Sequence, residues 1–482
     1  MAALIQNEEK KMFISKNKLQ LGVHALALSI AIVLVSGCAE LPKCCGDSPA
    51  LQAKKNVVRV AGSSGIDEII GTRPIFHDAA LNPELYATQY PLYLLGIEKP
   101  RSRTKDFYKE VTKPKFDITN LQIDDRNDIE NVLDDGHTMI LTHALRTKRT
   151  DLNQNQKECF IYNVYKKTEK SASWCEHKHI IQIKESDESW KQEGWEGLKL
   201  LGDEIKEAVQ HQNGGKATHI IVLATGWNTE EYESYWDFKA WMDRLAEDFK
   251  GKGDFRPIFV GISWESEWGW SEVFSFGNKG NDADEIGFTW ANYLLNDILK
   301  PIALDSDTQL VAIGHSFGSR IVLGSHYVRN IIVREPRASD NLPVTLIGLQ
   351  AAFPTGRFSK DRGAEHPYNS KYKDPATVVI TTSTKDKATG MIDAFTTGYI
   401  GGEGGIEELT ENKKAYEFAI APIFSTNETE QPITDLDKTK VSVYNATPFV
   451  ECELQGTSSG AHSDVYDKAM GHFLGEIIRK SK

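Results

Sequence analysis

Leu310-Val311-Ala312-Ile313 is a wholly apolar run that passes directly into Gly314-His315-Ser316-Phe317-Gly318 and then into Arg320-Ile321-Val322-Leu323. The first stretch suits a strand buried on both faces, and the last suits a helix. A chain that must turn from one into the other across a G-x-S-x-G segment has very few conformations open to it. The glycines flank the serine because the turn is too tight for side chains there, and the strained backbone pushes one hydroxyl out above the sheet edge. Ser316 is therefore the candidate nucleophile. Gly456-Thr457-Ser458-Ser459-Gly460 fits the same pattern. It follows the polar Glu451-Cys452-Glu453-Leu454-Gln455, which is no central strand, so Ser458 is set aside.

Strand and helix signals alternate from Lys216 onward. Strands are expected at 219–223, 258–262, 309–313, 344–349, 377–382 and 441–444, with helices at 236–249 and 288–299. Val465, Ala469, Met470, Phe473, Leu474, Ile477 and Ile478 mark a C-terminal amphipathic helix. Such alternation implies a mostly parallel sheet covered on both faces, with reactive groups at the strand C-terminal ends. The region 57–215 is more mixed. Strands are expected at 138–141, 160–165 and 180–183, and Trp195, Leu198, Leu201, Ile205 and Val209 recur at helical spacing before Gly214-Gly215.

This order resembles the α/β-hydrolase fold of bacterial serine esterases and lipases, over 216–482 as the catalytic core. The region 57–215 would be an addition carrying early strands of the sheet. The family's order is serine, acid, histidine. Downstream of Ser316, Asp386 falls in the turn just after the strand 377–382, where the family keeps its acid; the bland reading is a turn cap. Of the two later histidines, His472 lies within the last helix. His462 sits in the loop Ser459-Gly460-Ala461-His462-Ser463-Asp464 before that helix, so it is the candidate base. The resemblance places the oxyanion donors on the amides of Phe317 and Trp227, with Asn228 next. The relevant loop is Ala224-Thr225-Gly226-Trp227-Asn228, with Thr225 where relatives often carry histidine. His315 is expected to pack locally, away from the reaction.

Seven of the ten tryptophans fall between Trp227 and Trp290. Trp264, Trp268 and Trp270 follow the strand 258–262 and would form an aromatic wall for an acyl chain, or else simply pack a long loop. Ser316, His462 and Asp386 need no metal or cofactor, and neither H-E-x-x-H nor G-x-x-x-x-G-K occurs. A formal net charge of −12 with no basic stripe argues against nucleic acid as a partner.

The N-terminus bears on compartment. Leu19 to Val35 is almost wholly apolar, follows Lys16 and Lys18, and ends in Val35-Ser36-Gly37-Cys38, which resembles the lipobox of a bacterial lipoprotein. On that resemblance 1–37 is a signal peptide, Cys38 carries the lipid, and 38–56 is a flexible tether. A plain membrane anchor is the alternative. Glu8 and Glu9 are unusual in such a leader, so translation could begin at Met12 instead of Met1. Ala39 after the cysteine favours the outer membrane. In an oxidising envelope Cys159 and Cys175 could bridge, but five cysteines remain after Cys38 and their pairing is open. The chain is thus expected to be a membrane-tethered esterase or lipase acting on an ester or lipid-like substrate through an acyl-enzyme. A catalytically inactive relative serving as a surface binding lipoprotein is the alternative.

Overall fold

The computed structural model describes residues 78–98, 139–150, 157–164, 173–179, 187–212, 215–227, 229–266, 272–332, 337–359, 376–388, 399–417, 419–421, 424–425, 436, 440–450 and 461–482. The expectations placed on the signal peptide, Cys38, the tether, Trp268, Trp270, Asn228 and Ser458 lie outside these residues.

Thirteen strands are present among them: β1 Ala87–Thr88, β2 Leu92–Glu98, β3 Ile140–Arg146, β4 Lys148–Arg149, β5 Cys159–Asn163, β6 Ser173–His179, β7 His219–Ala224, β8 Pro257–Trp264, β9 Gln309–His315, β10 Val344–Leu349, β11 Ala376–Thr382, β12 Phe424–Ser425 and β13 Ser442–Asn445. Eleven form one sheet in the order β12-β13-β11-β10-β9-β7-β8-β2-β3-β5-β6, while β1 and β4 pair separately. From β12 to β2 every pairing is parallel; β3 runs antiparallel to both β2 and β5, and β6 is parallel to β5. The protein is therefore α/β with a large, mostly parallel mixed sheet, and the region before Lys216 contributes four of its strands.

The main helices are α1 Asp187–Gln210, α2 Glu231–Phe249, α3 Glu272–Ile286, α4 Gly318–Ile332 and α5 Lys468–Lys480. Their distribution follows from the strands. Ile220 and Val222 of β7 face a core with Leu201 and Ile205 of α1 and Ile321 and Val328 of α4. Ile221 and Leu223 face a second core with Phe238, Trp241 and Leu245 of α2 and Met470, Leu474 and Ile477 of α5. A strand apolar at every position needs helices on both faces, and burying each such side chain is worth roughly 1.5–3 kcal/mol.

Several boundaries differ from expectation for identifiable reasons. The expected helix 288–299 is the middle of a longer one: α3 continues through π-helical turns at Gly287–Ala291 and Tyr293–Leu299 into Lys300–Ser306. There Gly287 lets the backbones meet, since a Cβ on it would lie 3.0 Å from the carbonyls of Arg320 and Ile321. The third early strand is at Ser173–His179, one segment before the expected 180–183, which lies outside the described residues. Its partner is fixed by a disulfide between Cys159 of β5 and Cys175 of β6, with Cα atoms 5.0 Å apart. Strand β2 was not anticipated at all. Its Gly96 makes room for His143 of β3, whose imidazole Cε1 would lie 1.9 Å from any added Cβ.

Candidate active site

The sheet order places a crevice before any side chain is considered. From β7 the chain moves to β8 on one side, and from β9 it moves through β10 and β11 on the other. The C-terminal ends of β7 and β9 therefore flank a topological switch point, where open α/β sheets gather their ligands. The segment 225–227 leaves β7 there, and Ser316 follows β9.

Ser316 has φ of 54°, in the left-handed region that non-glycine residues rarely occupy. The turn is held by its neighbours: the Ser316 amide donates to Leu349 O (3.0 Å), and Ser316 O accepts from the amides of Ser319 (3.0 Å) and Ala352 (3.2 Å). The flanking glycines have no room for side chains. A Cβ on Gly314 would lie 2.3 Å from Gly318 O, and one on Gly318 would lie 2.2 Å from Ala224 O. Strain of this kind costs on the order of 1–3 kcal/mol and persists only where the surroundings over-determine it.

Asp386 and His462, 76 residues apart, meet at 2.7 Å between Oδ2 and Nδ1. Asp386 is 1% exposed and sits just past β11, where Ser383 O receives its amide (3.2 Å) and its Oδ1 accepts from the Ala388 amide (3.1 Å). The two loops are also joined through backbone, Ala461 N–H donating to Lys385 O at 2.9 Å. A carboxylate only accepts, so Nδ1 is the protonated nitrogen of the neutral ring and Nε2 carries the lone pair. The same imidazole lies against the elbow, its centroid 4.8 Å from that of His315. His472 is elsewhere: it is half exposed and pairs with Asp248 at 2.8 Å.

The loop after β7 comes against Ser316. A Cβ on Gly226 would lie 2.6 Å from Ser316 Cβ and 3.2 Å from Ser316 Oγ. Phe317, fully buried, and Trp227, half-buried against the core, are thus the residues that follow the serine and its closest facing glycine. The loop is pinned from outside. Thr225 Oγ1 shares a hydrogen bond with Ser234 Oγ (2.8 Å), and Ser266 Oγ accepts from Thr229 N–H and donates to Thr229 O, both at 2.9 Å. Trp264 enters here too. It is the last residue of β8, 2% exposed, and its indole N–H donates to Thr225 O at 3.0 Å. Of the two uses expected of it, acyl wall or loop packing, its burial beneath the loop fits the packing.

Two buried polar clusters were not foreseen. His143 Nε2 lies 2.7 Å from Glu231 Oε1, both side chains fully buried, at the first residue of α2. The other Glu231 oxygen accepts from the Ala79 amide at 2.8 Å. Burial holds the Glu231 carboxyl above its usual range. Behind the elbow, Asp284 takes two bonds from Arg357 (2.9 and 2.7 Å) and one from Arg320 (3.3 Å). Arg320 Nε donates to Ala352 O at 2.9 Å, and Ala352 in turn bonds to Ser316 O. Neither cluster has a sequence signal beyond charged residues inside apolar surroundings, as in Ser319-Arg320-Ile321.

Among the described residues no group of three or more His, Cys, Asp or Glu side chains is placed to hold a metal ion, and no helix is long and apolar enough to cross a membrane. Compared with known proteins, the chain matches no protein-family model, no curated protein and no solved structure.

Proposed function

We propose that the protein is a serine hydrolase of the α/β-hydrolase type that cleaves carboxylic esters through an acyl-enzyme. The observation that carries this reading is the 2.7 Å contact of His462 Nδ1 with Asp386, set beside an elbow that holds Ser316 at positive φ. With Nδ1 committed to the carboxylate, Nε2 of His462 takes the proton as Ser316 Oγ attacks the ester carbonyl. The amides of Phe317 and Trp227 hold the oxyanion. Collapse of the tetrahedral intermediate expels the alcohol, which receives the proton back from His462. Water then repeats the sequence on the acyl-enzyme and releases the acid. Asp386 orients the imidazole and steadies its cation without taking the proton.

The strand order supports the same reading. The serine, acid and histidine follow β9, β11 and β13, and the oxyanion loop follows β7, beside the serine strand. The N-terminal reading is proposed alongside it: a lipid on Cys38 tethers the enzyme to the bacterial envelope, the outer membrane being favoured, and an ester or lipid-like substrate is met at that surface.

Reaction with a fluorophosphonate probe, and hydrolysis of p-nitrophenyl esters of graded chain length, test the chemistry. Labelling and turnover are expected in the folded wild-type chain and absent from Ser316→Ala. A folded chain that neither labels nor turns over any ester would refute the reading in favour of a binding lipoprotein. Incorporation of labelled palmitate, lost in Cys38→Ala, tests the anchor.

A further inference from the structure

We propose that His315 is a positioning residue for the base: by donating from Nε2 to the carbonyl of His462, it ties the loop that carries that imidazole to the strand end that carries Ser316. The inference rests on the hydrolase reading and deepens it. A carbonyl oxygen can only accept, so the 2.9 Å contact between His315 Nε2 and His462 O assigns the proton of His315 to Nε2. The donor stands on the rigid side. It is the last residue of β9, 6% exposed, directly before a serine whose backbone is tied to Leu349 and Ala352. The acceptor stands on a connecting loop. That loop is clamped at two successive residues: Ala461 to the acid turn through Lys385 O, and His462 to the elbow through His315. The two ties hold the His462 loop to the turns that carry Asp386 and Ser316.

The surroundings keep the donor intact during the reaction. The ring is packed between the imidazole of His462, centroids 4.8 Å apart, and Tyr466, edge-on at 6.3 Å. Burial, with the neighbouring His462 adding to it, holds His315 down to about 3, so it stays neutral when His462 takes up the serine proton. His315 therefore neither competes for that proton nor repels the imidazolium by carrying charge of its own.

His315→Phe keeps a packed ring and removes the donor; His315→Gln places an N–H near the Nε2 position and removes the ring. Steady-state hydrolysis of a p-nitrophenyl ester separates them. The phenylalanine variant is expected to lose about 10- to 100-fold in kcat with KM nearly unchanged, because a misplaced base costs rate without costing ground-state binding. The glutamine variant is expected to recover most of that loss. Full activity in His315→Phe, or equal loss in both variants, overturns the proposal. Should either variant fail to fold, the tautomer of His315 in the wild-type protein is read by nitrogen-15 NMR. A neutral ring protonated on Nε2 is expected, and one protonated on Nδ1 refutes the hydrogen bond. Failure of the wild type to label or turn over would instead defeat the hydrolase reading, a separate result.

Discussion

Gly226→Ala is the sharpest single test of how the loop after β7 meets Ser316. An added Cβ would lie 2.6 Å from Ser316 Cβ and 3.2 Å from both Ser316 Oγ and His315 O. Carbon atoms at rest stand roughly 3.5–4.0 Å apart, so the loop and the elbow must separate by about 1 Å. Neither side gives freely. The loop is held through Thr225, Thr229 and Trp264, and the elbow through Leu349 and Ala352. The displacement therefore falls on the gap where the oxyanion would sit, and a misplacement of about 1 Å can cost on the order of 100-fold in rate. We expect kcat for ester hydrolysis to fall by about that factor, with KM little changed and the cost of overpacking at about 1–3 kcal/mol of stability. Gly356→Ala is the control, because a Cβ there meets nothing within 4 Å. A folded Gly226→Ala protein with kcat within about threefold of wild type would refute the geometry on which the oxyanion assignment stands.

Asp386→Asn should leave the protein folded but present its amide to Nδ1, favouring the other tautomer of His462; kcat is expected to fall by about 10³–10⁴-fold in the same assay. Replacing Cys159 and Cys175 together with serine opens a loop of 16 residues, with an expected loss of about 3 kcal/mol in urea unfolding and no change in ester turnover. His219, at the start of β7, is held down to about 4, first by burial and then by the charge of Lys482. Below its ordinary 6.5 the unfolded chain takes a proton that the folded chain refuses, so this residue's contribution is intact above 6.5 and lost as pH falls toward 4. The slope is about 1.4 kcal/mol per pH unit, and stability curves of His219→Gln against pH should lack it. Asp284→Asn leaves Arg320 and Arg357 buried without their counter-charge, and denaturant unfolding should show a loss of about 3–5 kcal/mol.

The serine strand and its turn were legible because everything that defines them is local: a wholly apolar run, two glycines with no room for side chains, and a helix start. The same locality explains why β10 and β11 fall within a residue of their expected bounds. Asp386 and His462, which meet in the structure, were singled out by chain order, a longer-range rule that still needs only a strand and a loop to count from. Strand β2 resisted the same treatment. Its interior glycine reads as a weakness until His143, on the neighbouring strand, is seen to fill the space. Edge strand β6, Ser-Trp-Cys-Glu-His-Lys-His, is too polar to announce itself and is held by a disulfide to β5.

Trp264 and His315 are each used in a way that the residue type alone does not announce. In each, the residue type supplies a ring with an N–H, and its use is decided by an acceptor that composition never names: the carbonyl of Thr225 for one and of His462 for the other. Every residue carries a carbonyl, so no pattern of side chains marks which one a given donor will find. Glu231 shows the converse. A glutamate at a helix start usually answers to the helix dipole, yet here it is fully buried against His143 of β3 and the backbone amide of Ala79. The elements that carry Ser316, Asp386 and His462 are thus written in turn chemistry and chain order. The contacts that tie their loops down are written in backbone acceptors, and these become visible only once the sheet has closed around them.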